Sequence, residues 1–376
     1  MRSVLFSGAL FALARCTSAQ TVSGSAEGFA SGVTGGGSAT AVYPADIDEL
    51  VSYLHDDEAR VIVLNKEYDF TGSEGTTTEQ GCAPWGTGDG CQLAIDGTGS
   101  WCGSNPAATV TYDVAGVEGI TVNSDKTIIG VGSSGVIKGK GLRFVNGVSN
   151  IIVQNIHITD LNPQYVWGGD AFTWSGATNV WVDHCTTSLL GRQHYVFGRD
   201  KSTGITISNN YINGTTPWSA GCDTYHYWTL EMLGEGDQIT MQNNFIEHTS
   251  GRSPGLSATT LLHAVNNVWS DNNGHAIEGD TAGKGLFEGN VFESVDTVIV
   301  NDFVGQVNSC SDEASASAVQ AVFGRVCQGN ILSNSGAFAK SDIGFLSEFE
   351  GLTIARSTQA TVAQNKVPSS AGFGKI

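Results

Sequence analysis

Six short apolar runs, each carrying a polar residue near its end, constrain this chain more than any other feature. Aligned on that residue they read I-I-V-Q-N-I-H-I at Asn155, V-W-V-D-H-C-T at His184, I-T-I-S-N-N-Y-I at Asn210, I-T-M-Q-N-N-F-I at Asn244, L-H-A-V-N-N-V-W at Asn267 and L-F-E-G-N-V-F at Asn290. The steps between them are 29, 26, 34, 23 and 23 residues. A hairpin needs fewer residues and a repeated strand-helix-strand module needs more, whereas one coil of three short strands in a parallel β-helix fits. Stacked coils would bring equivalent inward side chains to ~4.8 Å of one another. A column of asparagines at a bend between strands can then hydrogen-bond amide to amide, so the column is read as structural.

The remaining segments are assigned around that solenoid. With 49 glycines and 15% charged residues, the chain reads as all-β with many turns. Pro44 to Leu54 is the exception, with Asp46, Asp48 and Glu49 early and Ile47, Leu50, Val51 and Leu54 on one face, which predicts a helix capping one end. The 34-residue step holds Asn213 to Met232, whose Trp218, Tyr225, His226, Tyr227 and Trp228 read as an aromatic loop beside a groove. The repeat fades after Asn330, and 336–376 is expected to run along the outside as an irregular tail. Residues 20–376 are read as a single domain.

Residues 1–19 carry Arg2, an apolar run from Val4 to Leu13 and the small ending Thr17-Ser18-Ala19, the pattern of a secretory signal peptide cleaved after Ala19. The run is too short for a membrane span, and no later stretch approaches the ~20 apolar residues one needs. The protein is therefore expected to be secreted and extracellular. Losing Arg2 and Arg15 with the leader takes the formal charge from −19 to −21. That balance argues against nucleic acid or an anionic membrane as partner, and a fully ionised polysaccharide would be repelled as well. Without Cys16 seven cysteines remain, so six can pair in an oxidising compartment and one is left over. Cys185, inside V-W-V-D-H-C-T-T, is the odd one by its place next to a strand. No C-x-x-C pair supports zinc binding.

The chemistry-bearing residues gather between Trp167 and His263, in W-G-G-D-A, V-W-V-D-H, G-R-Q-H-Y-V-F-G, H-Y-W, T-S-G-R-S-P and L-L-H-A-V-N-N. Together with the early G-F-A-S-G-V-T-G-G-G, these motifs resemble fungal pectin lyases of the pectate lyase superfamily (polysaccharide lyase family 1) over nearly all the mature chain. The resemblance implies a right-handed parallel β-helix with long groove-forming loops. It also implies endo-acting, metal-independent β-elimination of methyl-esterified 1,4-α-galacturonan to 4,5-unsaturated oligosaccharides, by a monomer with no cofactor.

The same resemblance assigns Arg252 to removing the proton from C5 of the sugar. A guanidinium rarely gives up its charge. A neighbouring cation would help, with Arg192 the candidate, and a role limited to stabilising the developing enolate stays open. Asp170 is implied to hold Arg192 where related pectate lyases hold Ca²⁺. Gly255 departs from the pattern, since some similar enzymes carry a lysine three positions after the arginine. The implied disulfides are Cys82 with Cys102, Cys91 with Cys222, and Cys310 with Cys327.

Trp85, Trp101, Trp167, Tyr225 and Trp228 are expected to stack on sugar, whereas Trp174 and Trp181 alternate within strands and should pack. Asp183 and His184 are not read as a catalytic dyad, because no nucleophile motif accompanies them. Asn213, in N-G-T, is a glycosylation acceptor by pattern. The competing functions are a calcium-dependent pectate lyase acting on de-esterified polygalacturonate, a glycoside hydrolase, which would need clustered carboxylates, and a non-catalytic carbohydrate binder.

Overall fold

The computed structural model describes residues 21–96 and 99–376, so the expected leader lies outside the described residues. Three largely parallel sheets of ten, nine and six strands run along the molecule. One coil shows the plan. The strand Ser149–Gln154 lies in the first sheet, His157–Leu161 in the second and Phe172–Ser175 in the third, and Thr178–Asp183 then begins the next coil in the first sheet. Pairing between coils stacks like on like: Ile151, Val180, Ile205, Ile239 and Leu262 form one inward column, and Val153, Val182, Ile207, Met241 and Ala264 form another. All ten side chains are fully buried, and each large one contributes roughly 1.5–3 kcal/mol. The parallel β-helix follows from this two-residue alternation repeated coil by coil.

The asparagine column is present with one change of register. Asn210 donates to Asn244 at 3.1 Å, Asn244 to Asn267 at 2.8 Å, Asn267 to Asn290 at 3.1 Å and Asn290 to Asn330 at 3.0 Å. It starts at Cys185, whose N–H donates to Asn210 Oδ1 at 2.7 Å. Asn155 and His184, expected in this column, stand one residue earlier. They share with Asn209, Asn243 and Asn266 a left-handed bend position, at φ 57° and 50°. That conformation suits Asn and tolerates His. The inward position next to each is filled by Ile156 and Cys185, both fully buried.

The helix Ile47–His55 begins after Pro44, because Asp46 caps it by accepting the Glu49 N–H at 2.9 Å. Leu50 and Leu54 close one end of the core. Toward the other end, a helix that the sequence reading missed, Glu313–Phe323, lies between Cys310 and Cys327 with Asp312 as its cap. The tail is not irregular throughout: Ala360–Ser370 is helical and packs Ala360, Ala363 and Val367 against Val268 and Val291. Small residues make its apolar face inconspicuous in sequence.

Disulfides join Cys82 to Cys102, Cys91 to Cys222, and Cys310 to Cys327, and Cys185 is a buried free thiol. The second ties the segment after Trp85 to the aromatic insert. Trp174 stacks on Phe197 at 4.6 Å inside the third sheet. Trp181 is buried beneath Ala26 and Ala30. No helix among the described residues is long and apolar enough to cross a membrane.

Candidate active site

The third sheet stacks Val196, Glu231 and Gly255 in register, and Gly255 bridges onward to Glu278. This brings Glu231 and Glu278 to either side of Arg252, which stands just before Gly255 in a left-handed conformation, φ 47°. Its neighbour Gly251 lies flat on the Tyr227 ring, where any Cβ would collide. Arg252 donates through Nη1 to Glu231 and through Nε to Glu278, the latter at 3.1 Å. Its guanidinium carbon lies 5.1 Å from the Trp228 ring and 5.6 Å from that of Tyr227. Nη2 has no hydrogen-bond partner among the described residues.

Burial pulls the Arg252 pKa down, but the charges of Glu231 and Glu278 outweigh it and the net shift is upward. The expectation of a neighbouring cation weakening the Arg252 charge is therefore not met: two carboxylates strengthen it. Glu231 is pushed above the usual carboxylate range by burial, despite the nearby charges of Arg252 and Arg192. Its desolvation exceeds what the two arginines return. Glu278 is half-buried, which raises its pKa, yet hydrogen bonding from His275, the charge of Arg252 and the Tyr227 hydroxyl hold it below that range. The Tyr227 hydroxyl donates to Glu278 at 3.0 Å. Burial, with Glu278 adding to it, pushes that phenol up to about 12.

Arg192 forms the second cationic group. Its Nη1 reaches Asp170 Oδ2 at 3.4 Å, and its guanidinium lies 4.2 Å from the Trp167 ring centre. Asp170 is fixed by the Gln193 N–H at 2.7 Å, and the Gln193 side chain reaches Glu231 at 3.4 Å. Burial drives His226 down to about 4, so its neutral ring donates to the Arg192 carbonyl at 2.7 Å. Asp170, Arg192 and Arg252 are thus brought to one edge of the solenoid, linked through Glu231.

Trp167, Trp101, Trp85 and Trp228 make a chain of rings with centroids about 6 Å apart, from Arg192 to Arg252. Two of the expected stacking residues differ from the expectation. Trp228 is 9% exposed and donates to Gln92 at 3.0 Å, so it backs the site as packing. Tyr225 lies outside the chain, stacked on His248 at 3.6 Å with its hydroxyl on Asp271. Asn213 is half-buried, its Oδ1 accepting the Thr215 N–H at 3.0 Å. Asp183 is buried and accepts from Gln154, His184, Ser208 and Asn209, a closed structural network.

A cleft of about 520 Å³ opens beside Arg252, bounded by Glu231, Glu278, Asp280 and Asp302 and walled on one side by Val300 and Val304. A larger cavity of about 710 Å³ under the N-terminal segment, near Val33, Thr127 and Ile152, is lined by no charged side chain. Ionisable groups rather than size mark the site. Sequence reading placed Tyr227 in the aromatic loop without a role and missed Glu231, His275 and Glu278; the only signal for those three was register between coils of unequal length.

The chain matches a family model described as pectate lyase over residues 2–376. It is 58% identical over 369 residues to a probable pectin lyase A of Aspergillus flavus, covering 98% of this chain and 97% of that one. To pectin lyase B of Emericella nidulans it is 55% identical over 371 residues, covering 98% of each. In fold it resembles a pectate lyase from a Bacillus species solved in complex with trigalacturonate, with a TM-score of 0.59 at 18% identity over 93% of this chain and 99% of that one. Matched along nearly its whole length in both sequence and fold, the chain belongs to the pectate lyase family and is a polysaccharide lyase.

Proposed function

We propose that this protein is a secreted, endo-acting pectin lyase that cleaves methyl-esterified 1,4-α-galacturonan by metal-independent β-elimination. The observation that carries the reading is the pairing of charges. Asp170, Glu231 and Glu278, the carboxylates nearest the two arginines, each already hold a guanidinium. Such a donor set is committed to arginine and poorly suited to the six to eight oxygen ligands of Ca²⁺. The valine wall beside Arg252 suits an uncharged methyl ester, whereas a free uronate would face Asp280 and Asp302.

In the elimination the C5–H bond breaks, its proton passes to solvent and its electrons are held as the enolate of the ester. Those electrons form the C4–C5 double bond as the C4–O4 bond breaks, and the departing oxygen takes up a proton from solvent, so no net proton is consumed. The ester acidifies C5–H. Arg252, kept charged by its two carboxylates, acts with Arg192 as a fixed positive charge on the developing enolate. Trp167, Trp101 and Trp85 offer ring surface for neighbouring sugars. The three disulfides support an oxidising compartment.

The test is ultraviolet absorbance of a conjugated unsaturated product on highly methylated pectin and on fully de-esterified substrate, each with calcium and with chelator. Chelator-insensitive product formed faster from the methylated polymer, with an early fall in viscosity, is the expected result. Faster, calcium-dependent cleavage of the de-esterified polymer would instead select a pectate lyase.

A further inference from the structure

We propose that Glu278 is a positioning residue for the elimination: it fixes the roll of the Arg252 guanidinium so that Nη2 faces the substrate cleft. This rests on the reading of Arg252 as the group that meets the substrate. A guanidinium on a flexible chain can rotate about its stem and present any of its nitrogens. Here Glu231 takes Nη1 and Glu278 takes Nε at 3.1 Å. With two corners of a planar group held, the third has one direction left.

Glu278 is itself held. Its Oε2 accepts from the Tyr227 hydroxyl at 3.0 Å and from His275 Nε2, while Oε1 serves Arg252. The Tyr227 ring also lies edge-on to His275 at 5.9 Å, so one aromatic side chain braces both the arginine and the groups behind its carboxylate. Glu231 is less suited to this role alone, since its main additional contact is Gln193 at 3.4 Å. The Gly255 backbone leaves open the space beside Glu231 that a side chain would fill.

Facing Glu278 are Arg252 from the preceding loop, Tyr227 from the aromatic insert and His275 from the strand that ends just before it, with the carboxylates of Glu231, Asp280 and Asp302 around the same cleft. The three donors hold Glu278 ionised below the usual carboxylate range, so the brace persists into acid and fails only as pH falls through that lowered pKa.

The experiment compares Glu278→Gln, His275→Ala and Arg252→Ala with the parent protein on methylated pectin, recording kcat, KM, the pH profile and the unfolding midpoint. Glu278→Gln keeps the shape but removes the charge, and is expected to lower kcat about 30- to 100-fold with KM within about twofold, as expected for a misaligned catalytic group. His275→Ala removes a donor that lowers the Glu278 pKa, so the acid limb of the kcat profile should move to higher pH. Wild-type kcat in Glu278→Gln together with an unmoved acid limb in His275→Ala would overturn the proposal. An active Arg252→Ala would instead overturn the reading of Arg252, which separates the two failures. A fall in activity matched by loss of folded protein at the assay temperature would also count against a positioning role.

Discussion

Asp183 and Glu278 are both carboxylates withdrawn from water beside a histidine, and only Glu278 stands at a catalytic cleft. Asp183, 2% exposed at the bend of the first sheet, accepts from four neighbouring side chains, and beyond them the side-chain bonds run only to Trp181 and the Ser23 backbone, neither of which lines the cleft beside Arg252. Glu278 accepts from three, one of which is Arg252, and Arg252 still has a nitrogen without a partner among the described residues beside a cleft. Burial and a nearby histidine therefore do not separate scaffold from site. What separates them is whether every strong donor is spent within the network or one is left facing a cleft, where a ligand can take the place of water; Arg252 is half-buried at that cleft.

The largest test of that distinction is Arg252→Ala. Removing the group with the free donor should lower kcat/KM by at least ~1,000-fold, equal to about 4 kcal/mol, in protein that still folds, with its unfolding midpoint lowered because Glu231 and Glu278 lose their partner. Arg252→Lys should fail nearly as badly. A single ammonium cannot satisfy Glu231, Glu278 and the substrate together, and it would leave a carboxylate unpaired. Wild-type-like turnover in either variant would remove the distinction.

The converse change is Asn244→Ala in the closed asparagine column. It deletes bonds to Ile207 and Asn267 and leaves the Asn210 N–H without its acceptor. A loss of about 3 kcal/mol in unfolding free energy is expected from the buried groups left unpaired, with kcat per folded molecule unchanged. Chemical denaturation alongside titrated active-site turnover would check both halves.

These two variants also mark what could be read in the sequence. Asn210, Asn244, Asn267 and Asn290 are legible because each closes an apolar run, and identical side chains in successive coils need one another. Asn155 and His184 were assigned one position out because the bend and the inward column occupy adjacent residues, and an Asn suits both. Asp170, Arg192 and Arg252 are legible as motif residues. Glu231 and Glu278, 21 and 26 residues from Arg252 in opposite directions, are not. Their meeting depends on the exact pairing of Glu231 with Gly255 and of Gly255 with Glu278, and coils of unequal length hide that register. Trp228 and Trp85 look alike as loop tryptophans, and only packing distinguishes the buried one.

Arg192→Ala is expected to have a smaller effect than either. Its contact with Asp170 is long, 3.4 Å, and much of its setting is the Trp167 face. Loss of a cation near the enolate should lower the rate on methylated pectin about 10- to 100-fold. No calcium requirement should appear, because removing an arginine frees Asp170 without supplying the further oxygen ligands that Ca²⁺ needs. Rescue of Arg192→Ala by calcium would show that the pocket around Asp170 is more open than its present pairing suggests.

Asp237 gives the sharpest challenge, since it is a buried carboxylate whose network is open with no substrate to close it. Its Oδ1 accepts the Ser202 N–H at 2.6 Å, but Oδ2 has no partner among the described residues. Burial pushes its pKa up to about 7, against backbone hydrogen bonds and the charge of Lys201. A proton thus stabilises what a donor does not. The folded chain holds that proton more tightly than an unfolded one, whose aspartate titrates near ~3.9. Stability is therefore full below that pH, falls as pH rises towards about 7, and levels off above it. Asp237→Asn keeps an acceptor for Ser202 and removes the charge, so it should flatten this decline and raise the unfolding midpoint at pH ~8 more than at pH ~4. Parallel melting curves for parent and variant across that range decide it. An unchanged slope would mean that Oδ2 is satisfied in solution, leaving Arg252 as the open network that matters.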